Sequence, residues 1–214
     1  DFDEATSGFA MLAVDPSRGS LLSALTDTPN ASERVQQGGY VGYTIITLGL
    51  FALALGLWRW VVITITSRKV ASQQKHLDRP DTTNPLGRVL NVYASNRNVD
   101  HETLELKLDE VILRESARLE RFLWLVKTVS VVAPLLGLLG TVTGMIQTFQ
   151  AITLFGAGDP KMMAGGISEA LVTTKFGLIT AIPSLIVHAL LSRRLQGLVA
   201  KMETFASRLV NLAA

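Results

Sequence analysis

From Tyr40 to Leu57 the chain reads YVGYTIITLGLFALALGL, eighteen residues without one charge. As a helix such a run is about 27 Å long, close to the hydrocarbon thickness of a bilayer. Trp58, Arg59 and Trp60 follow at once, an aromatic belt with a snorkelling cation, so the run is expected to cross a membrane rather than lie in a soluble core. Two more apolar runs lie at Thr128–Phe149 and Ile167–Leu191, the latter holding Glu169 near its start and Lys175 near its middle. With 48% hydrophobic and 18% charged residues among 214, the chain carries less charge than an ordinary soluble domain. The expected fold class is therefore an all-α membrane protein with three transmembrane helices.

Charge placement orients the spans. Residues 1–39 hold six acids and two bases, residues 67–127 hold eleven bases, and Arg193, Arg194, Lys201 and Arg208 follow the third run. By the positive-inside rule the N-terminus is expected to be periplasmic and the C-terminus cytoplasmic. The organisation expected is a periplasmic segment with an amphipathic helix (1–39), a first span (40–66), a cytoplasmic domain (67–127), a second span (128–155), a periplasmic loop (156–166), a third span (167–191) and a cytoplasmic helical tail (192–214). In the first segment, DPSRGSLLSAL carries the amphipathic edge of Leu21, Leu22 and Leu25. The chain opens at Asp1, and a processed or truncated N-terminus is expected.

In the cytoplasmic domain Leu104, Leu108, Val111, Leu119, Phe122 and Val126 recur at helical spacing, and no breaker lies between Glu102 and Ala133. One long helix is expected to rise from the cytoplasm and continue as span two. Leu195, Leu198, Met202, Phe205 and Leu209 extend span three into the tail in the same way. Spans two and three should form a tight antiparallel pair, joined by the Gly-rich GAGDPKMMAGG.

Several chemistries are excluded. Cysteine is absent, so there is no disulfide framework, thiolate nucleophile or Cys-built metal site, and three His leave little for a metal. A net charge of +2 gives no footprint for nucleic acid. Neither a nucleophile–base pair nor a phosphate loop is present, so no enzyme activity and no cofactor are expected.

Within the spans two patterns stand out. In span two Gly137, Thr141, Gly144 and Thr148 share one face, which fits either close packing through Gly140-x-x-x-Gly144 or the lining of a pore. In span three Glu169, Thr173, Gly177, Thr180 and Ser184 form a polar stripe with Thr174 at its border. A carboxyl near the membrane interior must be protonated, paired or wetted, which suits proton handling; near the outer interface it could equally be a hydrated helix-end anion. Lys175 lies six residues, about 240°, from Glu169, so a pair between them would form across subunits. His188 is expected at the interface, and His76 and His101 in water.

The segments APLLGLLGTVTGMIQTF (133–149) and GGISEALVTTKFGLITAIPSLIVHALLSRR (165–194) resemble the two signature helices of the MotA/TolQ/ExbB proton-channel family, and most of all ExbB-like subunits of TonB systems. The N-terminal part is similar to the larger, TtpC-type accessory subunits. The resemblance implies a homopentamer whose spans two and three line a pore around an ExbD-like dimer, with protons entering by a carboxylate of that partner. It implies pore-facing roles for Thr141 and Thr174, and a place in the proton pathway for Glu169. Gly137, Gly140, Gly144 and Gly177, with Pro134 and Pro183, would set helix packing. A TonB-type protein, and through it TonB-dependent outer-membrane receptors, would be further partners, beside membrane lipids. Three spans argue against the four-span flagellar stators. Lys175 departs from the pattern, because the family's well-known members carry a small apolar residue there; it is a candidate pore or inter-subunit charge. The function implied is a stator subunit that uses the proton motive force to energise TonB-dependent transport. The alternative is a non-conducting scaffold linking a conventional ExbB–ExbD motor to TonB.

Overall fold

The computed structural model describes residues 31–76, 80–96, 99–156 and 160–213, and among them every regular element is a helix. They are α1 (Ala31–Gln37), α2 (Gly39–Gln73), α3 (Pro85–Ser95), α4 (His101–Glu120), α5 (Leu123–Phe155) and α6 (Pro160–Ala213). The amphipathic stretch expected around Leu21–Leu25 lies outside the described residues. Helices α2, α5 and α6 are each long and apolar enough to cross a membrane. Their helices overrun the apolar sequence: α2 continues to Gln73, and the 54 residues of α6 make a rod about 80 Å long.

α5 and α6 are antiparallel and meet through small residues. A methyl group added at Gly137 would come within 3.0 Å of Thr174 Cα, one at Gly144 within 2.9 Å of the Gly166 carbonyl, and one at Gly177 within 2.7 Å of the Ala133 carbonyl. At Gly140 it would fall inside the Thr173 side chain. Helix α2 runs parallel to α6 and flanks it through glycines seven apart, with Gly42 on Phe176, Gly49 on Thr180 and Gly56 on Val187. Large side chains of these helices point away: Leu50, Phe51, Leu135, Leu139, Ile146, Leu178 and Ile182 are all exposed. Such an inside-out pattern is what lipid or neighbouring helices solvate.

Beyond the apolar runs the chain changes building style. The last turns of α2, with α3, α4 and the C-terminal half of α6, enclose a core of Ile63, Leu86, Val89, Leu104, Leu108, Leu191, Leu195 and Met202. Its entries are capped by sequence: the Asn84 side chain accepts from Gly87 N–H at 2.7 Å with Pro85 at the first helical position, and Asp100 accepts from Thr103 N–H at 3.0 Å. Buried Gln73 steadies the turn before α3, accepting from the Asp81 amide at 3.0 Å and Asn84 Nδ2 at 3.2 Å. Glu115 is only 2% exposed, and the guanidinium groups of Arg88 and Arg118 close on it.

Two expectations need correction. The long helix expected to run unbroken from Glu102 into span two stops at Glu120, and α5 starts afresh at Leu123. Phe122 between them has a left-handed backbone, φ 71°, unusual for a residue with a side chain. The break has partners: Arg59, buried in α2, donates from Nη2 to the Leu119 carbonyl in the last turn of α4, and the Phe122 ring lies 6.1 Å from that of Trp58. Packing α4 against α6 requires a turn that a continuous rod would not make, and the Arg59 bond satisfies a carbonyl freed by it. Within α4 the buried residue is Ile112, with Val111 half-buried at its border. The loop expected over 156–166 is shorter, because α6 already begins at Pro160.

Candidate functional site

The polar stripe of span three proves to be an internal seam. Thr173 and Ser184 are fully buried, and their hydroxyls bond carbonyls of their own helix, Ala170 at 2.9 Å and Thr180 at 2.8 Å. Thr148 does the same on α5, donating to the Gly144 carbonyl at 2.9 Å. These hydroxyls add slender, hydrogen-bond-satisfied bulk where α5 and α6 touch.

Thr174 behaves differently. It is half-buried, and its Oγ1 donates across the helix pair to the Gly137 carbonyl at 3.2 Å, with its own Ala170 carbonyl at 3.4 Å. In an α-helix the carbonyl of Gly137 is also the acceptor for the amide of Thr141, four residues on. The Thr174 hydroxyl is therefore seated one helical turn from Thr141. Thr141 is half-buried too, and its hydroxyl turns back to the Leu138 carbonyl at 2.6 Å. Both keep an edge open to the outside of the hairpin.

That edge faces away from α2. Helix α2 meets the arc of α6 carrying Glu169, Phe176, Thr180 and Val187, and Thr174 lies about 120–160° round the helix from each. Glu169 belongs to the other flank. Its carboxylate lies against Gly39, so close that a methyl group there would collide with Oε1, and Gly39 has φ 53°, which glycine alone adopts freely. Gly39 is the first residue of α2, so the carboxylate sits where unpaired amides and the positive end of the helix dipole favour an anion. The subunit thus brings Thr141 and Thr174 together and holds Glu169 apart, at the root of the first span.

Lys175 is exposed, 100° round α6 from Thr174, among exposed Leu171, Leu178, Ile179 and Ile182. No ion pair joins it to Glu169 within the subunit. Pro134 and Pro183 both stand inside helices, each freeing a carbonyl one turn back. Pro134 Cα packs beside Gly177, with a methyl group added there meeting it at 3.3 Å. Among the described residues no cluster of His, Asp or Glu has metal-binding geometry. Sequence reasoning missed the burial of Arg59, which looked like a snorkelling cation; its seven-residue spacing from Ala52 and Gly56-side packing onto α6 was the available signal.

Comparison with known proteins agrees with this arrangement. The family described as the MotA/TolQ/ExbB proton channel family matches residues 61–204, a stretch that includes Thr141, Glu169 and Thr174. An ExbB-like biopolymer transport protein of Synechocystis (ExbB-like 1) is 32% identical over 78% of this chain and 72% of its own length. The biopolymer transport protein ExbB of Xanthomonas campestris is 35% identical over 49% of this chain and 42% of its own. The Tol-Pal system protein TolQ of Pseudomonas aeruginosa is 37% identical over 44% and 41%. With three helices able to cross a bilayer and a match that covers all of α5 and most of α6, the chain belongs to the MotA/TolQ/ExbB proton channel family and is a multi-pass protein of the inner, plasma membrane.

Proposed function

We propose that the chain is a ring-forming stator subunit of an ExbB/TolQ-like complex that spends the proton motive force on transport across the outer membrane. The observation that carries this is the bond of the Thr174 hydroxyl to the Gly137 carbonyl, one helical turn from half-buried Thr141, on the flank of the α5–α6 hairpin that α2 leaves free. In a homopentamer that flank turns inward, and five such pairs line a pore holding an ExbD-like dimer. The N-terminus is then periplasmic, and the four-helix bundle hangs in the cytoplasm.

The hydroxyls suit the task because they are already satisfied by carbonyls and yet can lend a donor or acceptor to a water chain or a partner carboxyl. Each proton moving down the gradient supplies roughly 2.3 kcal/mol per 100 mV, enough to bias one step of rotation of the ring about its central dimer. Glu169 acts at the α2 root, where its carboxylate packs against Gly39 and ties the outer end of the hairpin to the first span. The complex would deliver this work to a TonB-type protein and thence to outer-membrane receptors.

A second reading, a non-conducting scaffold that joins a conventional motor to TonB, draws on Lys175. A cation in mid-span on a bare apolar face is costly unless another chain pairs with it, and inside a pore it would oppose protonation of a partner carboxyl. Native mass spectrometry of the extracted protein with a co-expressed ExbD-like partner separates the two: five copies around two partner chains are expected for the stator. Uptake of a TonB-dependent ligand should fall in Thr174→Val and Glu169→Gln strains and recover in Thr174→Ser, which keeps the hydroxyl. Wild-type uptake at normal protein level in Thr174→Val would sink the site assignment.

A further inference from the structure

The flank that carries the two threonines continues beyond them. Lys127, Pro134 and Thr141 are spaced by sevens on α5, and Thr174, Ala181 and His188 by sevens on α6, so each trio lies on nearly one line along its helix. At the far end of these lines, Lys127 and His188 border a cavity of about 570 Å³, bounded also by Glu120, Arg121, Trp124 and Ser192. It sits where α4 gives way to α5, level with the lower ends of the apolar runs.

The charges there are unbalanced. Two cations, Arg121 and Lys127, stand against one carboxylate, Glu120, and neither cation has an ion-pair partner among the described residues. Two other clusters outside the spans do pair: Glu115 takes both Arg88 and Arg118, and Glu110 takes Arg114 at 2.8 Å. Arg121 instead lies over the Phe122 ring at 5.0 Å, a cation–π contact that uses none of its N–H donors. In a ring, five such cavities around one axis would concentrate like charge in a narrow, partly dry mouth, which is unfavourable unless an anion fills it.

We infer that this cavity is the docking site for a carboxylate-rich peptide segment of the chain that occupies the pore, the stretch of that partner just beyond its membrane helix on the cytoplasmic side. The inference rests on the reading of the Thr141–Thr174 flank as pore-facing, because only then does the cavity open onto the axis, where a partner peptide and not the surrounding lipid can reach it. Carboxylates would pair with Lys127 and Arg121 while Ser192 and His188 complete their hydrogen bonds. Seated so, the segment would fix the depth of the partner's helix, and with it the height of its pore carboxyl relative to Thr141 and Thr174.

The test uses the full ring with its co-expressed ExbD-like partner. A photo-reactive phenylalanine analogue at Ser192 should cross-link to the partner, within an acidic stretch adjoining its span, as mapped by peptide mass spectrometry. In the Arg121→Gln/Lys127→Gln background the yield should fall at least about fivefold, and Lys127→Arg should restore most of it. Adducts to phospholipid, adducts to a neutral or basic stretch, or a yield indifferent to both substitutions overturn the inference. Native mass measured on the same samples separates the levels of failure: a wild-type ring that never holds the partner removes the stator reading and this site with it, whereas a partner retained without the cross-link removes this site alone.

Discussion

Where α5 crosses α6 between the apolar runs, the residues at closest approach are Gly137, Gly140, Gly144 and Gly177, with Thr173 and Ala170 facing them. Some twenty residues further along α6 the same helix buries Leu191, Leu195, Leu198 and Met202 against α2, α3 and α4. The two regions answer to different solvents. In water a helix gains by hiding leucine, whereas in lipid leucine gains little by being hidden and close backbone approach becomes the source of adhesion. One rod of 54 residues obeys both rules in turn, and the change falls between Ser184 and Leu191. Size changes should therefore have opposite effects in the two halves.

The largest effect is expected in the bundle. Leu195→Ala should cost about 2–5 kcal/mol, because Leu195 is 2% exposed and its neighbours are already held by four helices. Leu139→Ala on the outward membrane face should move the unfolding midpoint of the subunit in nanodiscs far less, since Leu139 is exposed. Equal losses at both positions would erase the distinction between the two halves.

Next comes the seam. Gly140→Ala adds one methyl where the Thr173 side chain stands, and overpacking of this kind costs about 1–3 kcal/mol. The companion Thr173→Gly, which also removes the Cβ that would stand 2.5 Å from the new methyl, should recover part of the loss, a coupling that a double-mutant cycle on the same unfolding midpoint measures directly. Additive effects would mean that the helices do not touch there.

A smaller effect belongs to the ion cluster. Arg88→Met leaves buried Glu115 with Arg118 alone, and because Arg88 is itself partly exposed, the cost should be about 2 kcal/mol rather than the larger figure for a fully buried pair. Adding Glu115→Met should restore stability, as apolar volume replaces the stranded carboxylate. If the double substitution is worse than the single one, the cluster contributes more than pairing.

The same contrast explains what could be seen in the sequence. Apolar length announced the three spans, and glycines next to threonines announced the hairpin, because both are local patterns. The match of residues 133–149 and 165–194 to the family motifs pointed to Thr141 and Thr174; in the structure the Thr174 hydroxyl crosses to Gly137, one turn from Thr141. The break at Phe122 was not legible, since nothing in Arg121-Phe122-Leu123 is a helix breaker. It is imposed from a distance by Arg59, sixty residues away, and by the packing of α4 on α6. The division of span three between a buried seam and an open flank was equally hidden: period alone groups Glu169 with Thr173 and Ser184, and only the position of α2 shows that Glu169 is claimed by Gly39. Contacts between distant segments decide such matters, and no window of sequence contains them.

The smallest expected effect concerns pH, and it too should discriminate between the halves. Donation from the Thr83 hydroxyl and amide holds the Asp81 carboxyl below the usual range, and the Thr103 amide does the same for Asp100 at the start of α4. A carboxyl whose pKa is lower in the folded state contributes stability that is present above its unfolded value, near 4, and is lost as pH falls through the folded value. Both groups are fully exposed, so the loss is local: below about pH 4 the first turn of α4 and the turn before α3 should loosen while the α5–α6 seam, built of glycine and hydroxyls, stays as it was. Hydrogen exchange at Thr103 and Leu104, corrected for the intrinsic pH dependence, should show this opening, and Asp100→Asn should remove its acid dependence because the amide still accepts but no longer titrates. Were the amides of α5 around Gly140 to open first on acidification, the assignment of the acid-sensitive positions to the water-facing half would be overturned.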